Sequence, residues 1–502
     1  WHVLVLFILA AYLWIYLYKK YKVTASNENI NAKYYYSTSV LAIIIITVLS
    51  VGGIRGGDFK ESTRPINLVD ANRHVKEIKQ ADFVLNTPFA FIRTLSANTF
   101  KRVSYDISSD QIDHFISPIK QYTSNEKSSP NIVLVITESF SREYSGAFNK
   151  DRNIENYVSY TPFIDSLAAH SLIFPNAFAN GNKSIHGMSS VLAGIPSFKD
   201  AFTSSPYSKQ EIESVVSILN ELDYDTSFFH GAANGSMGFL GFSNILGFDN
   251  YYGRTEYNND DDFDGTWGIW DENFLDFTKE VLNEKKEPFF STIFTLSSHE
   301  PFKIPKEYKG KFPIGNVQMN QSISYTDYSL KTFFEASKNE EWFNNTIFII
   351  TADHGSQPGF DEYRKTVNRT GIPILIYKPD NSLREVKNDL AQQIDIYPTI
   401  IDLIGYNKPF RSWGRSLIND SLIHPFTFNY CASGYVLQRD NYICFFDGEK
   451  TTGFYDINDK DLKINLIEQS NSQMDTLEIV TKAFIKDFFD RIVDKKLGKP
   501  KK

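Results

Sequence analysis

The run Asn131–Thr137, NIVLVIT, is apolar through its centre and β-branched at most positions, with no alternation of polar and apolar residues. Both faces of such a run must be covered, which is the situation of a central strand in a parallel sheet. Further apolar runs follow at 226–229, 289–296, 346–351 and 372–377, and helical patterns alternate with them at 184–193, 211–221, 322–334 and 392–404. Strands alternating with helices predict an α/β domain with a largely parallel central sheet flanked by helices, and they place a site at the carboxyl ends of the strands. Beyond 411 the pattern becomes shorter strands, FTFNYCASGYVLQ, NYICFFD and TGFYDI, closed by a charged helix near 476–495. That reads as a small antiparallel sheet and a terminal helix packed on the main domain. The expected division is a membrane segment over 1–54, a connector over 55–130, a core over 131–410 and a small sheet with a helix over 411–502.

The first residues belong to another solvent. Residues 1–18, WHVLVLFILAAYLWIYLY, carry no charge, and at about 1.5 Å per residue they approach the roughly 30 Å of a bilayer interior. Without a basic start or a small-residue cleavage site, the segment reads as a spanning helix rather than a secretory signal. A second uncharged run, 39–54, has glycines and no amphipathic period, which suits lipid better than a buried core helix. Lys19, Lys20, Lys22 and Lys33 between the runs put that loop in the cytoplasm and the chain after Ile54 outside. The chain starts without Met, and further spans are expected upstream. The expectation is a multi-pass protein of the cytoplasmic membrane with an extracytoplasmic domain. Within the connector, VLNTPFAFIRTLSANTF reads as a helix near the membrane surface.

Sixty acidic against 52 basic side chains give a net charge of −8, which excludes a broad basic face for nucleic acid. With Cys431 and Cys444 alone, a cysteine-rich scaffold and a four-cysteine zinc site are also excluded. Whether those two pair stays open.

Three short segments sit where a parallel sheet converges them. VITESF puts Glu138 directly after the first strand, GNKSIHG puts Ser184 at a helix start, and FIITADHG puts Asp353 and His354 after a later strand. Each alone has an ordinary reading as a strand-end carboxylate, an N-cap or loop chemistry. Together they offer the oxygen and imidazole donors that a hard or borderline divalent ion takes. Coordination of the Ser184 oxygen would lower its pKa and make it a nucleophile near neutral pH. A helix start under Ser184 adds partial positive charge and backbone donors for phosphate oxygens. Lys183 either adds charge there or is a solvated loop lysine. His299, closing FSTIFTLSSH, is placed to stabilise charge on a reacting phosphate or to protonate a leaving alcohol. His230, also after a strand, is a second candidate, and a capping or core role is the alternative for both histidines. His186 is expected to point elsewhere on its helix.

The segments NIVLVITESF, TPFIDSL, GNKSIHG, FFHG, LSSHEPF and TADHG resemble the lipoteichoic acid synthase and phosphoglycerol transferase family, which is sulfatase-like and part of the alkaline phosphatase superfamily. The likeness covers residues 131–414. It implies an alkaline-phosphatase/sulfatase-like α/β fold preceded by transmembrane helices. It also implies one divalent metal, Mn2+ ahead of Zn2+ or Mg2+, held by Glu138, Ser184, Asp353 and His354. Ser184 would be the nucleophile, and His230 and His299 would bind substrate. The implied partners are a membrane phospholipid donor, a glycan or glycolipid acceptor and the lipid bilayer, with no nucleic acid. The implied reaction is transfer of a phosphoglycerol-type head group through a phospho-Ser184 intermediate. Hydrolysis at the same site, and a catalytically silent protein that binds envelope polymers, are the competing readings.

Some positions depart from that family. The transferases that build lipoteichoic acid carry a Trp and an Arg shortly after the first of the two histidines, where Met237 and Phe239 stand here. Trp267, or its neighbour Trp270, is the candidate aromatic wall of the head-group pocket. A sulfatase that makes formylglycine needs Pro or Ala two residues after its nucleophile and then Arg, whereas Ser184 is followed by Ile185, His186, Gly187 and Met188, so sulfate esters are not expected. Asp260, Asp262, Asp264, Gly265 and Asp271 imitate the spacing of a calcium loop, but a solvated acidic loop accounts for them.

Overall fold

The computed structural model describes residues 2–20, 32–55, 69–75, 80–84, 100–123, 126–419, 424–469 and 471–500. The chain divides into two compact units, Trp1–Phe59 and Lys60–Lys502. The first holds helices α1 (His2–Lys20) and α2 (Ala32–Arg55). Among the described residues only α2, over Ala32–Gly52, is long and apolar enough to cross a membrane, and it leaves Ile43, Ile44, Ile46 and Leu49 exposed. The expected first span is α1, a 19-residue helix that ends in Lys19 and Lys20. The expected surface helix of the connector lies, apart from its end residues, outside the described residues.

The second unit is built on an eight-stranded sheet. In chain order its strands are β1 (Asn131–Thr137), β2 (Ser171–Ile173), β3 (Asp225–His230), β4 (Asn250–Tyr252), β5 (Phe289–Phe294), β6 (Thr346–Ala352), β7 (Ile374–Tyr377) and β8 (Glu385–Val386). They lie in the order β8-β2-β7-β6-β1-β5-β3-β4. As the run NIVLVIT requires, β1 is central and every one of its residues is buried. It pairs in parallel with β6 on one side, Leu134 opposite Ile349, and with β5 on the other, Leu134 opposite Thr292. The expectation of a parallel strand at 372–377 is corrected, because β7 runs antiparallel to both β6 and β2. No long crossover helix separates β6 from β7, so the chain turns back from the end of the sheet at which β6 finishes.

Helix α3 (Ser184–Ala193) has the predicted bounds and ends on Gly194 in the left-handed conformation, φ +58°. Helices α4 (Asp271–Asn283) and α5 (Met319–Ser337) flank the sheet. The helix expected over 211–221 starts only at Val215, because Ser214 and Ser217 form a capping box there. The one expected over 392–404 opens as a tight turn, Gln393–Asp395, before α6 (Ile396–Leu403).

The C-terminal strands β9 (Phe426–Cys431), β10 (Gly434–Arg439), β11 (Tyr442–Phe446) and β12 (Thr451–Asp456) form an antiparallel meander. Helix α7 (Ser472–Val493) covers one face, stacking Phe484 on Phe428 at 4.3 Å and binding the Trp413 indole through Asp487 at 2.8 Å. Cys444 faces that helix, with Thr481 Oγ1 4.0 Å from its sulfur. Cys431 packs instead with Val436 and Ile443 in a separate cluster, and both thiols are free.

Candidate active site

The carboxyl ends of β1 and β6 lie side by side, Thr137 opposite Ala352, so Glu138 and Asp353 leave the sheet as neighbours. The turn after β1 is sharp. Ser139 takes a left-handed φ of +55°, a conformation that costs a non-glycine residue about 1–2 kcal/mol, and its N–H donates to Asp353 Oδ1 at 2.6 Å. The His354 N–H donates to the same oxygen at 2.7 Å. Helix α3 then brings Ser184 over this corner. Its hydroxyl donates to Glu138 Oε2 at 2.9 Å and lies 3.4 Å from His354 Nε2. His354 Nδ1 is 2.7 Å from the Gly355 carbonyl, which makes Nδ1 the protonated nitrogen and turns the Nε2 lone pair toward the carboxylates. Ser184, Glu138, Asp353 and His354 therefore meet in one place.

Glu138, Asp353 and His354 each present a ligand atom within 4.8 Å of the others. Asp353 Oδ2 is buried without a hydrogen-bond partner, and such an atom needs a cation or a proton. Burial raises the Glu138 carboxyl, but His299, His354 and the Ser139 hydroxyl together hold it below its ordinary value. Burial and the charge of Glu138 push Asp353 up to about 8. Burial lowers the His354 imidazole, while Asp353 and Glu138 outweigh that and raise it. Two adjacent buried carboxylates cannot both ionise cheaply, and a divalent cation removes the conflict. The donor set of carboxylates, one imidazole and one hydroxyl suits such an ion.

His299 lies in the loop after β5. Its Nδ1 is 2.9 Å from the Glu300 carbonyl, which also accepts the Trp267 indole N–H at 2.7 Å, and the two rings are 4.2 Å apart. Trp267 is buried with Ala232 and Leu296, so it braces His299. His230 ends β3 and is fully buried, with Nδ1 3.2 Å from the Phe294 carbonyl and Nε2 without a partner. Lys183 is the N-cap of α3, is exposed, and makes no side-chain cap, leaving the helix start open to an anion. His186 turns back to accept the Asn182 N–H at 3.2 Å. The calcium-like acidic residues do not converge. Asp264 accepts the N–H groups of Thr266, Trp267 and Gly268, while Asp262 is bonded by Asn273 and Tyr257. Asp271 is buried rather than solvated, and its carboxylate takes the Leu296 and Ser297 N–H groups, which fixes the loop that carries His299.

Sequence reasoning passed over several supporting residues. Gln393 donates to the Ala352 and Asp353 carbonyls at 2.6 and 2.7 Å and accepts the Asn180 N–H at 2.8 Å, tying the Asp353 corner to the loop before Ser184. Asn180 in turn donates to the Phe428 carbonyl, and Asn429 donates to that of Ala179. Gly187 did carry a signal, as a glycine inside a helical pattern. A Cβ there would lie 2.7 Å from Asp353 Cα, so only glycine lets α3 approach β6 this closely. Gly187→Ala is expected to cost about 1–3 kcal/mol of stability. It should also lower turnover by roughly 100-fold, as the hydroxyl moves off its target. Thermal unfolding and kcat measured on one preparation check both, and a variant with wild-type turnover contradicts the close-approach role.

Residues 130–406 match the family model described as Sulfatase, which is more than half of the chain. The chain belongs to the sulfatase family. Among curated relatives of this sulfatase-family chain, the lipoteichoic acid synthase-like YvgJ of Bacillus subtilis is 24% identical over 409 residues, 71% of this chain and 65% of that protein. The lipoteichoic acid synthase of Staphylococcus saprophyticus is 24% identical over 398 residues, 72% of this chain and 59% of that protein. This chain thus spans less than two thirds of the length of either. Its fold is shared with a protein in the alkaline phosphatase superfamily from Vibrio parahaemolyticus, at TM-score 0.66 and 22% identity, covering 83% of this chain and 98% of that one. It is shared too with the lipoteichoic acid synthase LtaP of Listeria monocytogenes, at TM-score 0.62 and 19% identity, covering 79% and 100%.

In this sulfatase-family site Phe239 stands where the resemblance expects Arg. Its ring packs 5.0 Å from His230 and 4.9 Å from Phe294, giving the histidine an apolar wall. Burial lowers the His230 pKa from 6.5 to about 4, and that of His186 likewise. As pH falls the unfolded chain takes up these protons first, so their stability contribution is complete above 6.5 and is lost as pH falls toward 4. The unfolding temperature is therefore expected to drop across that window, and His230→Gln to flatten part of the drop. An identical slope in the variant excludes His230 as a source.

Proposed function

We propose that the chain is a metal-dependent transferase of the cell membrane. It moves a phosphoglycerol-type head group from a membrane phospholipid to an envelope glycan or glycolipid, through a phospho-Ser184 intermediate, on the extracytoplasmic side. The observation that carries this reading is the Ser184 hydroxyl, set at an open helix start 2.9 Å from Glu138 and 3.4 Å from His354. The relatives named as lipoteichoic acid synthases and the apolar helix Ala32–Gly52 support the substrate class and the membrane setting. The residues after Ser184 lack the formylglycine pattern, which speaks against sulfate esters.

Glu138, Asp353, His354 and the Ser184 oxygen would hold the ion, with Mn2+ the one the family resemblance implies ahead of Zn2+ or Mg2+. When bound, it supplies Lewis acidity that lowers the Ser184 pKa and offsets charge on the phosphate oxygens. Glu138 Oε2 accepts the Ser184 proton as Oγ bonds to phosphorus. The bond from phosphorus to the diacylglycerol-type alcohol breaks, and His299 gives the leaving oxygen its proton from Nε2. The first-turn N–H groups of α3 face the anionic oxygens. In the second half an acceptor hydroxyl attacks the phosphorus, His299 takes its proton, and Ser184 recovers its own from Glu138. Phe239 beside His230 makes the head-group pocket less cationic than the family pattern implies.

The test is mass spectrometry of Ser184 after incubation with vesicles of phosphatidylglycerol or phosphatidylethanolamine, whose adduct mass names the group moved. Products then separate transfer from hydrolysis, since free glycerol phosphate marks water as acceptor. Turnover without any adduct on Ser184 counts against the intermediate.

A further inference from the structure

Arg142, Arg152 and Lys460 line a cavity of about 530 Å³ between the turn after β1, the segment Asn176 to Phe178 and the turn after β12. None of Ser184, Glu138, Asp353 or His354 lines it. Arg142 is fully buried. Its Nη1 donates to the Pro175 and Ala177 carbonyls at 2.9 and 3.1 Å, and its guanidinium lies 4.7 Å over the Phe178 ring. Its Nε and Nη2 have no acceptor. Arg152 Nη2 donates to the Pro175 carbonyl and to Asn176 Oδ1, each at 2.9 Å. Among the described residues none of the three cations is in an ion pair with a carboxylate. Asp389 and Asp440 also line the cavity, and Asp440 is engaged by His424.

A buried guanidinium with two idle donors and no ion-pair partner is costly, and the three cations around the cavity outnumber its two lining carboxylates, Asp389 and Asp440. Burial first, and then the charges of Arg152 and Arg142, hold Lys460 below the usual ammonium range against the opposing pull of Glu362. An anion with several acceptor oxygens offsets both costs, and a guanidinium fork beside an ammonium matches a tetrahedral oxyanion. The amides of Asn388 and Asn458 on the cavity wall suit hydroxyl groups. We propose that this cavity binds a phosphate-class anion, either inorganic phosphate or the phosphate of a phosphorylated polyol, apart from the Ser184 site. The binding does not rest on the transferase reading.

Calorimetric titration of the detergent-solubilised full chain carrying Ser184→Ala, in chelator, tests this with inorganic phosphate and with glycerol 3-phosphate. Saturable binding is expected, weakened about tenfold or more by Lys460→Ala and by Arg152→Ala and retained in Glu138→Gln. Lys460→Ala changes a surface turn, and an unchanged unfolding temperature shows that a loss of binding is not a loss of fold. Equal affinity for both ligands shows that the phosphate alone is recognised, and preference for the ester adds the hydroxyls. Binding that survives both cation variants and disappears in Glu138→Gln puts the anion at the Ser184 site and overturns the proposal. So does the lack of saturable binding by either ligand.

Discussion

Ser184→Ala is expected to leave a folded protein whose turnover of phospholipid vesicles is reduced by about 10⁴-fold or more. The substitution deletes one oxygen from the first residue of α3 and keeps the helix, because Ser184 makes no cap and its backbone is already helical. The structural cost is one hydrogen bond to Glu138, worth about 1 kcal/mol. On the proposed route the kinetic cost is the covalent step, since the Ser184 hydroxyl is the one placed 2.9 Å from Glu138 Oε2 and 3.4 Å from His354 Nε2. Unfolding temperature and kcat measured together separate the two. Retained turnover in the alanine variant sinks the nucleophile assignment outright.

Asp353→Asn is expected to have opposite effects with and without a divalent ion. In the ion-free protein the Asp353 carboxyl is raised from 3.8 to about 8 by burial and by Glu138, so the folded chain keeps a proton that the unfolded chain releases. Stability then falls as pH rises from 3.8 to about 8. The amide has no proton to lose, and its carbonyl can still accept the Ser139 and His354 N–H groups. The variant should therefore match or exceed the parent in ion-free unfolding temperature at pH 8. Added Mn2+ should stabilise the parent strongly and the variant hardly at all, with affinity reduced by about 100-fold or more. A variant that binds the ion as tightly as the parent would falsify the ligand assignment.

The site was legible because its chemistry sits in short local patterns. A strand apolar through its centre followed at once by Glu138, a helix start at Ser184 and a second strand running into Asp353 and His354 needed only sheet topology to bring them together. The direction of β7 was not legible, because an apolar run looks the same read either way and its return depends on the intervening loop. Gln393 and Asn180 were missed for a related reason. Each acts through amide contacts to backbone groups far away in sequence, and nothing in a neighbouring pattern marks a buried amide. Asp271 was grouped with an acidic loop by spacing, although its burial at the head of α4 gives it a separate task. Phe239 was recognised as a departure, but its packing on His230 became plain only in three dimensions.

The stretch that leads into Ser184 is fastened by Asn180 to the Phe428 carbonyl and by Asn429 to that of Ala179. During synthesis the ribosome makes Ser184 well before it makes β9. A nascent chain can lay down its central sheet with that hydroxyl still unanchored, and the stretch before Ser184 is fastened only once β9 has emerged and docked.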